Sequence, residues 1–144
     1  MNRPPIVVVD DNRDAADSLV ELLRVLGYDA IPAYSGPQAL AACRQVRPAL
    51  AILDVQMPIM NGVEVARAIR SELQPAPVLA SFTGLNGSAG LAGDGWTDFD
   101  AHLSKPIEVS ELAQLLSRTF RAASAGATAA VPSAEIAPAA SARA

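Results

Sequence analysis

Asp54 ends the apolar run Leu50-Ala51-Ile52-Leu53, and Asp10 and Asp11 end another, Ile6-Val7-Val8-Val9. A carboxylate that terminates a buried strand opens onto a ligand edge, where it can act as nucleophile or metal ligand. Three carboxylates at one edge repel one another, and desolvation pushes one toward its neutral form unless a cation fills the gap. Hard oxygen donors with no histidine or thiolate among them favour magnesium, held by a few carboxylates, a carbonyl and retained waters, and disfavour zinc. Thr83 and Lys105 follow two further apolar runs. A hydroxyl donor and an ammonium beside such a metal suit an incoming group with several anionic oxygens, and phosphoryl fits that description.

Singly, each residue has a plainer reading. Asp10-Asp11 can cap a helix, Asp54 precedes the loop formers Pro58 and Gly62, Thr83 beside Gly84 is an ordinary turn residue, and Lys105-Pro106 is an ordinary solvated lysine before a helix start. Their occurrence in order at four different strand ends is what makes them a site.

The elements that must position them alternate in type. Ile6 to Val9 is a β-branched run without polar alternation, as a parallel strand covered on both faces requires. From Asn12 the period becomes helical, with Ala16, Leu19, Val20, Leu23 and Leu26 on one face and Gly27 placed as a C-terminal cap. A second strand is expected from Asp29 to Ala33. Ser35-Gly36-Pro37 then starts a helix carrying Leu40, Ala41, Cys43 and Val46. The third strand runs from Ala49 to Asp54, and a third helix through Val63, Val65, Ala66 and Ile69 stops before Pro75-Ala76-Pro77. Val78 to Phe82 and Ala101 to Leu103 are the fourth and fifth strands. A last amphipathic helix begins near Val109 and Ser110 and uses Leu112, Leu115, Leu116 and Phe120. This rhythm predicts an α/β fold with a parallel sheet and helices on both faces, its right-handed crossovers bringing the strand C-termini to one edge.

Composition narrows the classes. The chain has 144 residues, 51% of them hydrophobic and 18% charged, enough for one globular domain with a buried core. A net charge of -4 without a basic patch argues against a nucleic-acid or acidic-membrane partner. The single cysteine, Cys43, has no internal disulfide partner and reads as a small core residue, which favours a reducing cytoplasm. Met1 to Pro5 leads straight into the first strand, too short for a signal peptide or membrane span. The domain is expected to occupy residues 1–121. Residues 122–144, about half alanine with Ser, Pro and Gly, read as a disordered tail or linker.

Val-Val-Val-Asp10-Asp11, Leu-Asp54-Val-Gln-Met-Pro58-Ile-Met-Asn-Gly62, Ser-Phe-Thr83-Gly84 and Ala-His-Leu-Ser-Lys105-Pro106 together resemble the receiver domain of bacterial two-component response regulators. The likeness covers roughly Ile6 to Phe120, and the run from Asp10 to Leu19 is especially similar to receivers found in or beside hybrid sensor kinases. It implies a flavodoxin-like, doubly wound, five-stranded parallel sheet of order 2-1-3-4-5. It also implies that Asp54 is a phosphoacceptor attacking a phosphohistidine on a histidine kinase or phosphotransfer protein. By the same resemblance Asp11, Asp54 and the backbone carbonyl of Gln56 ligate Mg2+, and Asp10 acts mainly through water. Thr83 and Lys105 bind phosphoryl oxygens, His102 takes the position of a switch side chain, and Gln56 and Leu85 tune the phosphoryl lifetime, apolar Leu85 predicting slow hydrolysis.

The pattern departs from the family between Thr83 and Lys105. Gly84, Gly87, Gly90, Gly93 and Gly95 crowd the segment that should form the fourth helix, each interior glycine costing about 1 kcal/mol relative to alanine. That helix is expected to be short, frayed or absent, and mobile until phosphorylation or a partner orders it. Trp96 reads as a packing anchor, Met57 and Met60 as gap fillers, and Gly62 as a site of positive φ or close approach. With no effector domain after Phe120, output is expected from another protein or from a removed part of the chain. Two other functional classes are a phosphorylation-independent binding module of the same fold, and an aspartyl phosphohydrolase. The hydrolase would usually place a second Asp two residues after the first, where this chain has Gln56. A flavin-binding flavodoxin needs a phosphate loop where Asp10-Asp11 would repel phosphate.

Overall fold

Strand β1 (Ile6–Val9) and strand β3 (Leu50–Asp54) lie side by side in the middle of the sheet, and every residue of both is buried. The computed structural model describes residues 4–55, 57, 60–83 and 99–128, with side chains described as far as 121. Strands β2 (Ala30–Ala33), β4 (Val78–Thr83) and β5 (Ala101–Ser104) complete a parallel sheet of order β2-β1-β3-β4-β5. This is the expected flavodoxin-like order. It explains why the central strands read as unbroken apolar runs, since both their faces are covered.

Successive strand side chains point to opposite faces, so one set of strands feeds two cores. Val7, Val9, Ala51, Leu53 and Leu79 pack against Cys43 of helix α2 (Gly36–Val46) and against Ala66 and Ile69 of helix α3 (Gly62–Glu72). Ile6, Val8, Leu50, Ile52 and Phe82 meet Leu19 and Leu23 of helix α1 (Arg13–Val25) and Leu112 and Leu116 of helix α4 (Val109–Thr128). Each fully buried large aliphatic contributes about 1.5–3 kcal/mol, and together they hold the strand ends in fixed register.

Polar side chains set the helix starts. The Asn12 and Ser35 side chains accept from the backbone amides of Ala15 and Gln38, and Asn61 and Glu64 form a reciprocal capping box. Gly27, with φ 97°, follows the end of α1 as the expected cap. Helix α4 runs to Thr128, beyond Arg121 where the sequence reading ends the ordered domain. Alanine needs no side-chain burial to be helical, so the alanines that follow Arg121 extend the helix across Gly126. The expectations about the glycine-rich segment, Gln56, Leu85, Trp96 and the chain beyond 128 lie outside the described residues.

Candidate functional site

Right-handed crossovers deliver the C-terminal ends of all five strands to one edge. Asp10 follows β1, Asp54 is the last residue of β3, Thr83 the last of β4, and Lys105 follows β5. The carboxylates of Asp10, Asp11 and Asp54 offer oxygens that all lie within 4.8 Å of one another. Asp10 is 1% and Asp54 5% exposed, while Asp11 stands at the solvent side.

Buried carboxylates need partners. Asp10 Oδ1 accepts the backbone amide of Asn12 at 2.9 Å, and its Oδ2 accepts the Lys105 ammonium at 3.0 Å. The same ammonium lies 3.5 Å from Asp54 Oδ2 and 5.0 Å from the centre of the Phe82 ring. Partial burial pulls the pKa of Lys105 down. Its hydrogen bond to Asp10 and the charges of Asp54 and Asp10 more than offset this, so it is held above the ordinary lysine value. The site thus joins three acids to one firmly protonated base.

Thr83 is 6% exposed, and on the neighbouring strand it lies one residue beyond Phe82, the register partner of Asp54. The Lys105 amide donates to the Thr83 carbonyl at 2.7 Å, which ties these two predicted residues together through the backbone. His102 is exposed on β5 and lies short of this edge. Its Nδ1 sits 2.7 Å from Oγ of Ser81, a fully buried residue of β4. The structure therefore joins Asp10, Asp11, Asp54 and Lys105 in one cluster and sets Thr83 beside it, with His102 on the adjoining sheet face.

Some parts of the site were not among the sequence expectations. Asn12 supplies a donor to Asp10 as well as capping α1. Beside Asp11 opens a cavity of about 280 Å3 lined by Tyr34, Pro37, Met57 and Met60, with Arg13 4.2 Å above the Tyr34 ring. Gly62, by contrast, was expected to allow a positive φ or a close approach, and a Cβ there would come 2.6 Å from the Asp54 carbonyl oxygen. Close approach is thus its role.

Three carboxylate oxygens within 4.8 Å of one another can converge on a small hard cation, which holds oxygen ligands at about 2.0–2.1 Å. No imidazole or thiolate belongs to the set. Among the described residues no helix is long and apolar enough to cross a membrane.

The chain matches the family model of the response regulator receiver domain over residues 6–117. It is 32% identical over 131 residues to the transcriptional regulatory protein PrrA of Mycobacterium leprae, covering 89% of this chain and 54% of PrrA. It is 43% identical over 70 residues to the DNA-binding response regulator MtrA of Mycobacterium tuberculosis, covering 49% of this chain and 31% of MtrA. The chain thus spans about half or less of the curated relatives it matches. The response regulator TrrA of Thermotoga maritima, solved in complex with Mg2+-BeF, superposes with a TM-score of 0.72 at 28% identity, covering 83% of this chain and 99% of that one. A CheY-like receiver domain from Methylobacillus flagellatus shares the fold with a TM-score of 0.74 at 24% identity, covering 82% of this chain and 99% of that one.

Proposed function

This chain belongs to the response regulator receiver domain family, and we propose that it accepts a phosphoryl group on Asp54 from a phosphohistidine of a partner kinase or phosphotransfer protein. The observation that carries this reading is the convergence of Asp10, Asp11 and Asp54 within 4.8 Å, with the Lys105 ammonium 3.5 Å from Asp54. An Asp54 carboxylate oxygen forms the new O–P bond as the P–N bond of phosphohistidine breaks, and the electron pair stays with the imidazole nitrogen. The product is an acyl phosphate.

Asp10, Asp11 and Asp54, with the backbone carbonyl of Gln56, would hold Mg2+, which supplies charge neutralisation of the phosphoryl oxygens when bound. The Lys105 ammonium offsets the remaining charge and the Thr83 hydroxyl donates to a phosphoryl oxygen. Such transfer depends on positioning and electrostatics, which a rigid strand edge provides. The chain acts as a signalling phosphoacceptor, promoting its own phosphorylation and slowly losing the group. Leu85 and Gln56 set that lifetime. His102 responds as a switch, and the cell compartment is the cytoplasm. An acidic chain of net charge -4 makes a protein, and not nucleic acid, the direct partner of this domain.

The test is incubation with Mg2+ and a small-molecule phosphodonor, followed by intact mass of wild type and Asp54→Asn. A single persistent phosphoryl adduct confined to wild type is expected. Donor turnover without an adduct would point to a hydrolase. No adduct and no turnover would leave a binding module of the same fold.

A further inference from the structure

Ser81 lies in the middle of β4 with no exposed surface, on the same strand face as Leu79 and Thr83. A hydroxyl in such a place destabilises the fold unless it is hydrogen-bonded. Its partner is Nδ1 of His102, 2.7 Å away, on the residue that faces it in the β4–β5 register. Among the described residues the hydroxyl has no other partner.

That geometry decides which way the hydrogen points. If Nδ1 carried a hydrogen, the hydroxyl hydrogen of Ser81 would find no acceptor among the described residues. Donation from Ser81 to a bare Nδ1 satisfies both groups and selects the imidazole tautomer with its hydrogen on Nε2. The Phe99 ring, 6.0 Å away at 62°, supports the imidazole from a second side. His102 is exposed overall, but its partial burial lowers its pKa, and a hydrogen bond donated to the neutral ring acts in the same direction.

We propose that Ser81 is a positioning residue for His102, fixing the ring as the Nε2–H tautomer against β4. One strand then carries Thr83 to the acidic cluster and, two residues earlier on the same face, anchors the histidine. A movement of the β4 terminus toward a phosphorylated Asp54 is passed to the ring through this hydrogen bond. The signalling half of the proposal rests on the role given above to Asp54 and Thr83. The tautomer half does not.

The experiment is NMR of the full chain labelled with 15N in its one histidine, in wild type, Ser81→Ala and Ser81→Thr, with intact mass recorded on each sample. Wild type should show the Nε2–H tautomer alone. Ser81→Ala should show mixed tautomers and an upward shift of the His102 titration midpoint, and Ser81→Thr should restore the single tautomer. An unchanged tautomer and midpoint in folded Ser81→Ala would overturn the positioning role. After addition of Mg2+ and a small-molecule phosphodonor, the ring signals should shift in wild type and shift less in Ser81→Ala, with the same adduct mass in both. An equal shift in both variants would overturn the coupling. Absence of the adduct from wild type would instead overturn the reading of Asp54, with the tautomer result still deciding the role of Ser81.

Discussion

Lys105 donates its ammonium to Asp10 at 3.0 Å, joining the residue after β5 to the residue after β1 across 95 positions of sequence. Because the same group also lies 3.5 Å from Asp54, it competes with any cation drawn to the carboxylates. Lys105→Met should therefore bind Mg2+ more tightly, by about tenfold for a coupling near 1.4 kcal/mol. It should also slow phosphorylation by about 100-fold, as expected when one preorganised charge partner is lost. Calorimetric Mg2+ titration and a mass-resolved phosphorylation time course measure the two effects, and weaker metal binding in the variant would contradict the competition.

Gly62→Ala should destabilise the fold. The added Cβ would meet the carbonyl oxygen of Asp54 at 2.6 Å and Cα of Val55 at 2.9 Å, and backbone atoms cannot turn aside as a side chain would. Overpacking of this kind costs about 1–3 kcal/mol, readable as a lower midpoint in urea. Because the strained atom belongs to Asp54, phosphorylation should slow as well. A variant with wild-type stability would show that the loop gives way freely.

Much of this was legible in the sequence because strand ends are legible. Apolar runs stopping at Asp10, Asp54 and Thr83 fix both the strands and the residues that leave them, and parallel crossovers require those ends to share an edge. The pairing of Lys105 with Asp10 was less accessible, since side-chain partners depend on how far β1 and β5 are separated by two other strands. The lone serine in Val78-Leu79-Ala80-Ser81-Phe82 signals that a buried hydroxyl must find a partner, but local sequence does not identify His102 as that partner. The cavity beside Asp11 could not be read at all. It arises where the loops after β1, β2 and β3 meet, and no local periodicity records that.

Cys43 is fully buried, and burial pushes its thiol pKa up to about 11. The native protein should resist alkylation at pH 8 and react within minutes once unfolded in urea, as followed by mass. The linkage has a definite sign. The folded pKa lies above the unfolded value, so the contribution is fully present below about pH 9 and is lost as pH rises toward 11, on the order of 2–3 kcal/mol in all. Urea midpoints measured from pH 8 to 11 should fall accordingly, and a flat profile would contradict the burial effect.

Asn61 accepts the Glu64 amide at 3.0 Å while Glu64 accepts the Asn61 amide at 3.0 Å. Asn61→Ala should cost about 1 kcal/mol. The double variant with Glu64→Ala should cost less than the sum of the singles, because each half of the box needs the other. A double-mutant cycle in urea measures this, and strict additivity would show that the two halves act independently.

Lys105 also ties the outer edge of the sheet to its centre. β5 is the last strand in the sequence and lies at the outer edge of the sheet, while Asp10 and Asp54 belong to the ends of β1 and β3 within it. The ammonium that faces these acids is therefore supplied from the edge strand, so the chemistry proposed for Asp54 depends on β5 keeping its register beside β4.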